Sequence, residues 1–190
     1  MRVGVAFLLV VGAFGLFSQT RPVSVVIVTK LGIIEAEIDT VHAPVTAANF
    51  LKYVDSRKYN TGAQFHRTVK LDNQPNNAVK IEVIQGGAAP DTPVFPAIPL
   101  ERTSVTGLLH LDGTLSMARD GPDTATSDFF ICIGDQPSLD FAGKRNPDGQ
   151  GFAAFGRVVR GMDIVRKIQM APAQEQKLMP PVQILRISRK

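Results

Sequence analysis

Apolar residues in this chain come in short β-branched runs, each cut off by Gly, Pro or a polar cluster before a long helix could develop. That punctuation restricts the fold more than any other feature, because it asks for many short strands and few helices. Val23–Val28 and Ile33–Asp39 flank the turn residues Thr29-Lys30-Leu31-Gly32. In the second run Ile34, Ala36 and Ile38 point one way and Glu35, Glu37 and Asp39 the other. The pattern predicts a half-buried antiparallel hairpin. Further strands are expected at Ile81–Gln85 (ending on Gly86-Gly87), Gly113–Ala118, Phe129–Ile133, Phe152–Val159 and Val182–Ile187. In the last, Gln183, Leu185 and Ile187 should share one face and Val182, Ile184 and Arg186 the other.

Two segments read as helices. Pro44 suits a first turn, Thr46 a cap or first-turn position, and Ala47, Phe50, Leu51 and Val54 recur at spacings of three and four. Asn49, Lys52 and Asp55 fall off that apolar face and can be solvated. The second helix opens at Gly161-Met162-Asp163 and buries Met162, Val165 and Ile168. The polar stretches 71–80, 119–127 and 143–151 read as loops. Four prolines between Ala88 and Glu101 make that segment an extended surface connection rather than a central strand. Many strands with two separated helices favour a closed antiparallel barrel. Periodicity alone does not separate that from a sandwich.

At 190 residues the chain suits one domain, and no repeat or linker divides it. Residues 1–20 stand apart: Arg2 is their only charge, Val3–Phe17 is a nearly continuous apolar run, and Ser18, Gln19 and Thr20 follow. This is the plan of a secretory signal peptide, the alternative being an uncleaved anchor. The expected domains are therefore a signal peptide at 1–20 and a folded domain at 21–190, exported to a periplasm or secreted. Without Arg2 the remainder holds 20 Lys and Arg against 17 acids, a net charge of +3 with no basic run. Nucleic-acid binding by phosphate neutralisation needs a denser basic face, so none is expected. The single Cys132 lies in the apolar run FFICI, forms no internal disulfide and reads as core packing. His42, His66 and His110 show no ligand spacing, so no metal site is expected. A monomer is the simplest state.

An ordered set of short motifs is similar to a known family. Asn49-Phe50, Phe65-His66-Arg67, Gln85-Gly86-Gly87, Ser116-Met117-Ala118, Ser127-Asp128-Phe129-Phe130-Ile131, Leu139-Asp140 and Phe155-Gly156-Arg157-Val158-Val159-Arg160-Gly161-Met162 together resemble a cyclophilin over roughly residues 24–188. The resemblance implies a mostly β fold: a closed eight-stranded antiparallel barrel capped by two α-helices. It also implies a peptidyl-prolyl cis-trans isomerase working without a cofactor on Pro-containing segments of unfolded or extended proteins, and so assisting the folding of exported proteins. Arg67 matches the family's catalytic Arg and Gln85 the Gln that orients the substrate carbonyl. Phe130 matches the floor of the proline pocket and Leu139 its aliphatic wall. Val83 stands where a Met is usual, Phe152 where a His or Tyr ring is usual, and Ala118 completes the substrate-binding set. Phe129, the neighbour of Phe130 on a strand, should point into the barrel.

Three departures bear on the site. The family spaces its Arg and Gln eight positions apart, whereas Arg67 and Gln85 are eighteen apart, an insertion of ten. A hairpin extension at 71–80 would preserve the site, but a one-residue register shift would turn Gln85 to the wrong face. Glu82 falls at the position of a pocket Phe, where a carboxylate would make the pocket more polar and could pair with Arg67, the alternative being that Glu82 simply faces solvent. Ser138, Arg119 and Asp128 replace residues (a Trp, an Asn and a Gln) at the family's site, which implies weak cyclosporin binding. Glu82 and the insertion favour an alternative reading, a non-catalytic module that holds Pro-containing segments. A barrel storing an apolar ligand fits poorly, since the strands are rich in the large apolar residues of a filled core.

Overall fold

A computed structural model describes residues 22–190. The expected signal peptide at 1–20 lies outside the described residues. Nine strands and three helices follow in the order β1 (Val23–Thr29), β2 (Gly32–Ile38), α1 (Pro44–Asp55), β3 (Gln64–Val69), β4 (Val83–Gly87), α2 (Thr103–Thr106), β5 (Thr114–Met117), β6 (Phe129–Cys132), β7 (Ala153–Arg160), α3 (Met162–Gln169), β8 (Ala173–Gln174) and β9 (Lys177–Arg189). A 3₁₀ turn at Pro137–Leu139 precedes β7. The strands pair antiparallel in the order β1-β2-β7-β5-β6-β4-β3-β9, and β9 returns to β1. Eight strands thus close a barrel, and β8 is a two-residue addition beside β9. Closure removes the open edges on which another chain could add.

The barrel interior is filled. Val25, Ile27, Ile34, Ala36, Ile38, Ile84, Leu115, Met117 and Ile131 are all essentially inaccessible. Helix α1 packs on β7 and β9, and α3 packs on β2, β3 and β4. Phe50 of α1 meets Phe129 edge-on at 5.4 Å and Phe155 at 5.1 Å, so an aromatic knot seats the helix. Strand alternation sorts β4 and β6 residue by residue. Ile84, Phe129 and Ile131 enter this core, whereas Val83, Phe130 and Cys132 join a smaller cluster on the outer face with Val69, Ile81 and Leu139. That outer cluster is the floor of the site described below.

Three local expectations need correction, and for Thr46 the first-turn alternative holds: the N-cap position is Ala43, which supplies no side-chain bond. Glu101 caps the helix instead, from far along the chain: its carboxylate accepts from Val45 N (3.1 Å), Thr46 N (2.7 Å) and Thr46 Oγ1 (2.6 Å). Asn49 is buried, not solvated, because its amide donates to the Thr126 carbonyl at 2.7 Å. Strand β4 begins at Val83 rather than Ile81 and continues through both glycines. Gly86 must be glycine: a Cβ there would lie 2.7 Å from the Gln64 carbonyl and 2.8 Å from the Phe65 ring.

Finally, β9 runs from Lys177 and contains an irregularity opposite Val28 and Thr29, which pair with Arg186 and Ile184. Leu185 is the extra residue, so Ile187 returns to the buried face with Val182 and Ile184 rather than joining Gln183.

Candidate active site

The site begins with another bulge. Phe65 pairs with Gly86 and Arg67 with Gln85, leaving His66 as the unopposed residue of β3. Strict alternation would have sent Arg67 inward with Phe65. The extra residue instead keeps Phe65 in the core and turns Arg67 outward beside Gln85, while Thr68 goes in and donates to the Gln169 carbonyl at 2.9 Å. The Arg67 guanidinium is half-buried. Its Nη1 donates to Gln85 Oε1 at 3.0 Å, and Nε and Nη2 donate to Gln176 Oε1 at 2.9 and 2.6 Å. Gln85 Nε2 donates in turn to Asp128 Oδ2 at 3.2 Å. Desolvation lowers the pKa of Arg67 from its ordinary value; a guanidinium remains charged at neutral pH all the same.

The insertion leaves this register intact. Arg67↔Gln85, Thr68↔Ile84 and Val69↔Val83 are consecutive pairs, and the extra residues loop out beyond the last of them. Gln74 closes the loop at its base. Its Nε2 donates to the carbonyls of Lys70 and Ile81, both at 2.7 Å, and its Oε1 accepts from Ile81 N at 3.2 Å. Ile81, Val83 and Gln85 face the cleft, and Glu82 faces away, accepting from Gln169 Nε2 at 3.1 Å. Of the two placements open to Glu82, the one in the pocket beside Arg67 is therefore excluded. Ile81 takes that place and keeps the wall apolar.

Opposite the polar edge lies an apolar floor. Phe130 meets Phe152 edge-on at 5.3 Å, and Leu139, Val83 and Ala118 complete it. Beneath Phe130 the imidazole of His110 is stacked at 6.0 Å. His110 Nδ1 lies 2.7 Å from Asp140 Oδ1 and Nε2 lies 2.9 Å from Ser116 Oγ. These are the residue types of a hydrolase triad, but Ser116 is fully buried and no substrate can reach it. The array supports the floor. Cys132 is also buried, and burial pushes its thiol well above the ordinary range, which leaves it unreactive.

The far rim is set by Arg119, whose guanidinium lies 5.0 Å from the Phe152 ring. It donates to the Gly151 carbonyl at 2.9 and 2.6 Å and forks onto Asp148 at 2.8 and 3.0 Å. That hydrogen bonding holds the Asp148 carboxyl below its ordinary range.

All seven residues singled out from the sequence, Arg67, Gln85, Phe130, Leu139, Val83, Phe152 and Ala118, line this one cleft of about 370 Å³. Sequence reasoning missed Gln176, which lies 109 positions from Arg67 and carries no motif. It also assigned no part to Arg145, which donates to Gln74 Oε1 and the Val79 carbonyl and ties the insertion to the rim. Asp128 was visible only as a departure from the motif. The cleft offers a fixed cationic donor above an apolar, ring-sized floor. That suits gripping a small apolar ring beside a polar bond and perturbing the bond without covalent chemistry.

The model of the family described as cyclophilin type peptidyl-prolyl cis-trans isomerase/CLD matches residues 24–189. A peptidyl-prolyl cis-trans isomerase of Acinetobacter baylyi is 40% identical over 147 residues, 76% of this chain and 70% of the relative. Peptidyl-prolyl cis-trans isomerase A of Dickeya dadantii is 35% identical over 83% of this chain and 77% of its own. Among solved structures, a cyclophilin type isomerase of Cryptosporidium parvum aligns with a TM-score of 0.68 at 22% identity, covering 89% of this chain and 98% of the other. The same protein crystallised in the presence of the dipeptide Ala-Pro aligns with a TM-score of 0.67.

Proposed function

The chain belongs to the cyclophilin-type peptidyl-prolyl cis-trans isomerases, and from that membership we propose that it catalyses Xaa-Pro rotation at the Arg67 cleft and so assists the folding of exported proteins. Amide resonance opposes the rotation with a barrier of about 18–20 kcal/mol. Resonance is lost in the twisted state, and the lone pair then localises on the proline nitrogen. A donor aimed at that nitrogen binds the twisted state more strongly than either planar one, which is the condition for catalysis. Arg67 is that donor, Gln85 orients the substrate carbonyl, and the proline ring rests on Phe130 between Leu139, Val83, Ala118 and Phe152.

A charge-assisted hydrogen bond is worth about 1.5–3 kcal/mol. With about 1.36 kcal/mol per tenfold in rate, Arg67 alone supplies only one or two powers of ten. Fixing the ring and excluding water supply the rest.

The observation that carries the assignment is Arg67 held by two side-chain carbonyls over an apolar floor. Glu82, the feature that favoured a non-catalytic module, is turned to Gln169 and leaves the guanidinium charge uncompensated. The pattern of residues 1–20 supports export, and the closed barrel supports a monomer.

Titration with the dipeptide Ala-Pro, followed by ¹H–¹³C spectra, tests the ring site. The side-chain signals of Val83, Leu139 and Phe130 should shift together, and Phe130→Ala should abolish saturation. Shifts confined to other faces of the barrel would reject this cleft.

A further inference from the structure

Gln176 sits in the turn between β8 and β9, where Gln174 pairs with Lys177. Its backbone carbonyl accepts from Thr68 N at 2.8 Å, which fixes the turn against β3. Its side chain is held from the other end, since Nε2 donates to the Asn73 carbonyl at 3.1 Å. Asn73 belongs to the insertion and is itself pinned. Its Nδ2 donates to the carbonyls of Thr68 and Glu175, both at 3.0 Å, and its Oδ1 accepts from Lys70 N at 2.7 Å. Gln176 Oε1 is thus presented in a fixed place, and it takes two of the three hydrogen bonds that Arg67 donates within the protein.

A guanidinium offers five N–H donors on a flexible stem, and three are engaged here. Two remain for substrate, and their direction is set by the plane that Gln176 and Gln85 define. Both anchoring groups are neutral amide oxygens, so the arginine is oriented without losing its charge to a carboxylate. Gln85 comes from the neighbouring strand, whereas Gln176 comes from a hairpin braced by a segment additional to the family's spacing.

We propose that Gln176, braced by Asn73 of the insertion, is a positioning residue that fixes the Arg67 guanidinium plane for catalysis. This rests on the isomerase reading, and it makes the insertion a strut of the active site rather than a passive extension. Small errors of placement at a catalytic centre cost up to about a hundredfold. A side chain still held by Gln85 should lose less, about tenfold.

The test compares wild type, Gln176→Ala, Arg67→Lys and the double variant by kcat and KM for an Xaa-Pro peptide. It also follows the Nε–H resonance of Arg67, assigned by its absence in Arg67→Lys. Gln176→Ala should lower kcat about tenfold, change KM by less than about twofold, and bring the Nε–H signal into fast exchange with water. Lysine has no planar fork to orient, so the same substitution should cost little more in the Arg67→Lys background. If the alanine variant folds poorly, Gln176→Leu retains the volume and serves the same comparison.

An unchanged kcat in Gln176→Ala, with wild type active, would overturn the proposal and leave the isomerase reading standing. An equal loss in both backgrounds would overturn it too, since that marks a purely structural role. Wild type inactive with its Nε–H still protected would instead remove the isomerase reading, and the catalytic role with it.

Discussion

His66 is the residue on which the site turns, because it is unopposed in the β3–β4 ladder and reverses the facing of Arg67 behind it. The guanidinium that results works by charge and direction, not by exchanging a proton. Burial lowers the pKa of Arg67, which favours loss of its proton as pH rises, but the starting point is so alkaline that the charge persists far above neutrality. The kcat for an Xaa-Pro peptide should therefore vary by less than about twofold between about pH 7.5 and 9.5. A bell-shaped profile in that range would mean that a titrating group takes part in the chemistry. His110, the one imidazole under the floor, is enclosed between Asp140 and Ser116 and meets no substrate.

At the scale of elements, seven of the eight barrel strands were legible, whereas β3, seen only as the motif Phe65-His66-Arg67, and the irregularities of the ladders were not. The alternation in Ile33–Asp39 gives β2 its buried face, and the pairing of β3 with β4 confirms that residues 71–80 loop out without changing register. Arg67, Gln85, Ala118, Phe130 and Leu139 lie within the short motifs and Val83 and Phe152 only near them, and the strand rule separates Phe130 from Phe129. Bulges have no comparable signature. The one at His66 rescues a facing that strict alternation would have reversed, and the one near Leu185 overturns the facing expected of Ile187.

Contacts between distant segments were equally invisible, since nothing local in Glu101 or Gln176 marks the helix end or the arginine that each serves. The Glu101 cap makes this quantitative. Glu101→Ala leaves Val45 N and Thr46 N without their acceptor and should destabilise the fold by about 1 kcal/mol, within the 0.5–2 kcal/mol typical of lost N-caps. Urea unfolding should show a lower midpoint at unchanged slope, whereas an unchanged midpoint would mean that water replaces the carboxylate without loss.

Over the whole molecule, the first strand pairs with the last, and Lys190 N donates to the Ser24 carbonyl at 2.9 Å. The barrel therefore closes only when both ends of the described chain are in place, which ties the site to completion of the fold. The site itself draws on β3, β4, β6, the segment after β5 and the turn before β9, so no single motif could carry the activity alone. The most direct test of the account uses residues 21–190 and the cis-to-trans relaxation of an Xaa-Pro peptide, whose uncatalysed course of roughly tens to hundreds of seconds leaves a readable background. Wild type should accelerate the relaxation clearly, and Arg67→Ala, folded to the same thermal stability, should lose at least about tenfold of kcat/KM. Equal acceleration by the two proteins would contradict the placement of Arg67 at the centre of the chemistry.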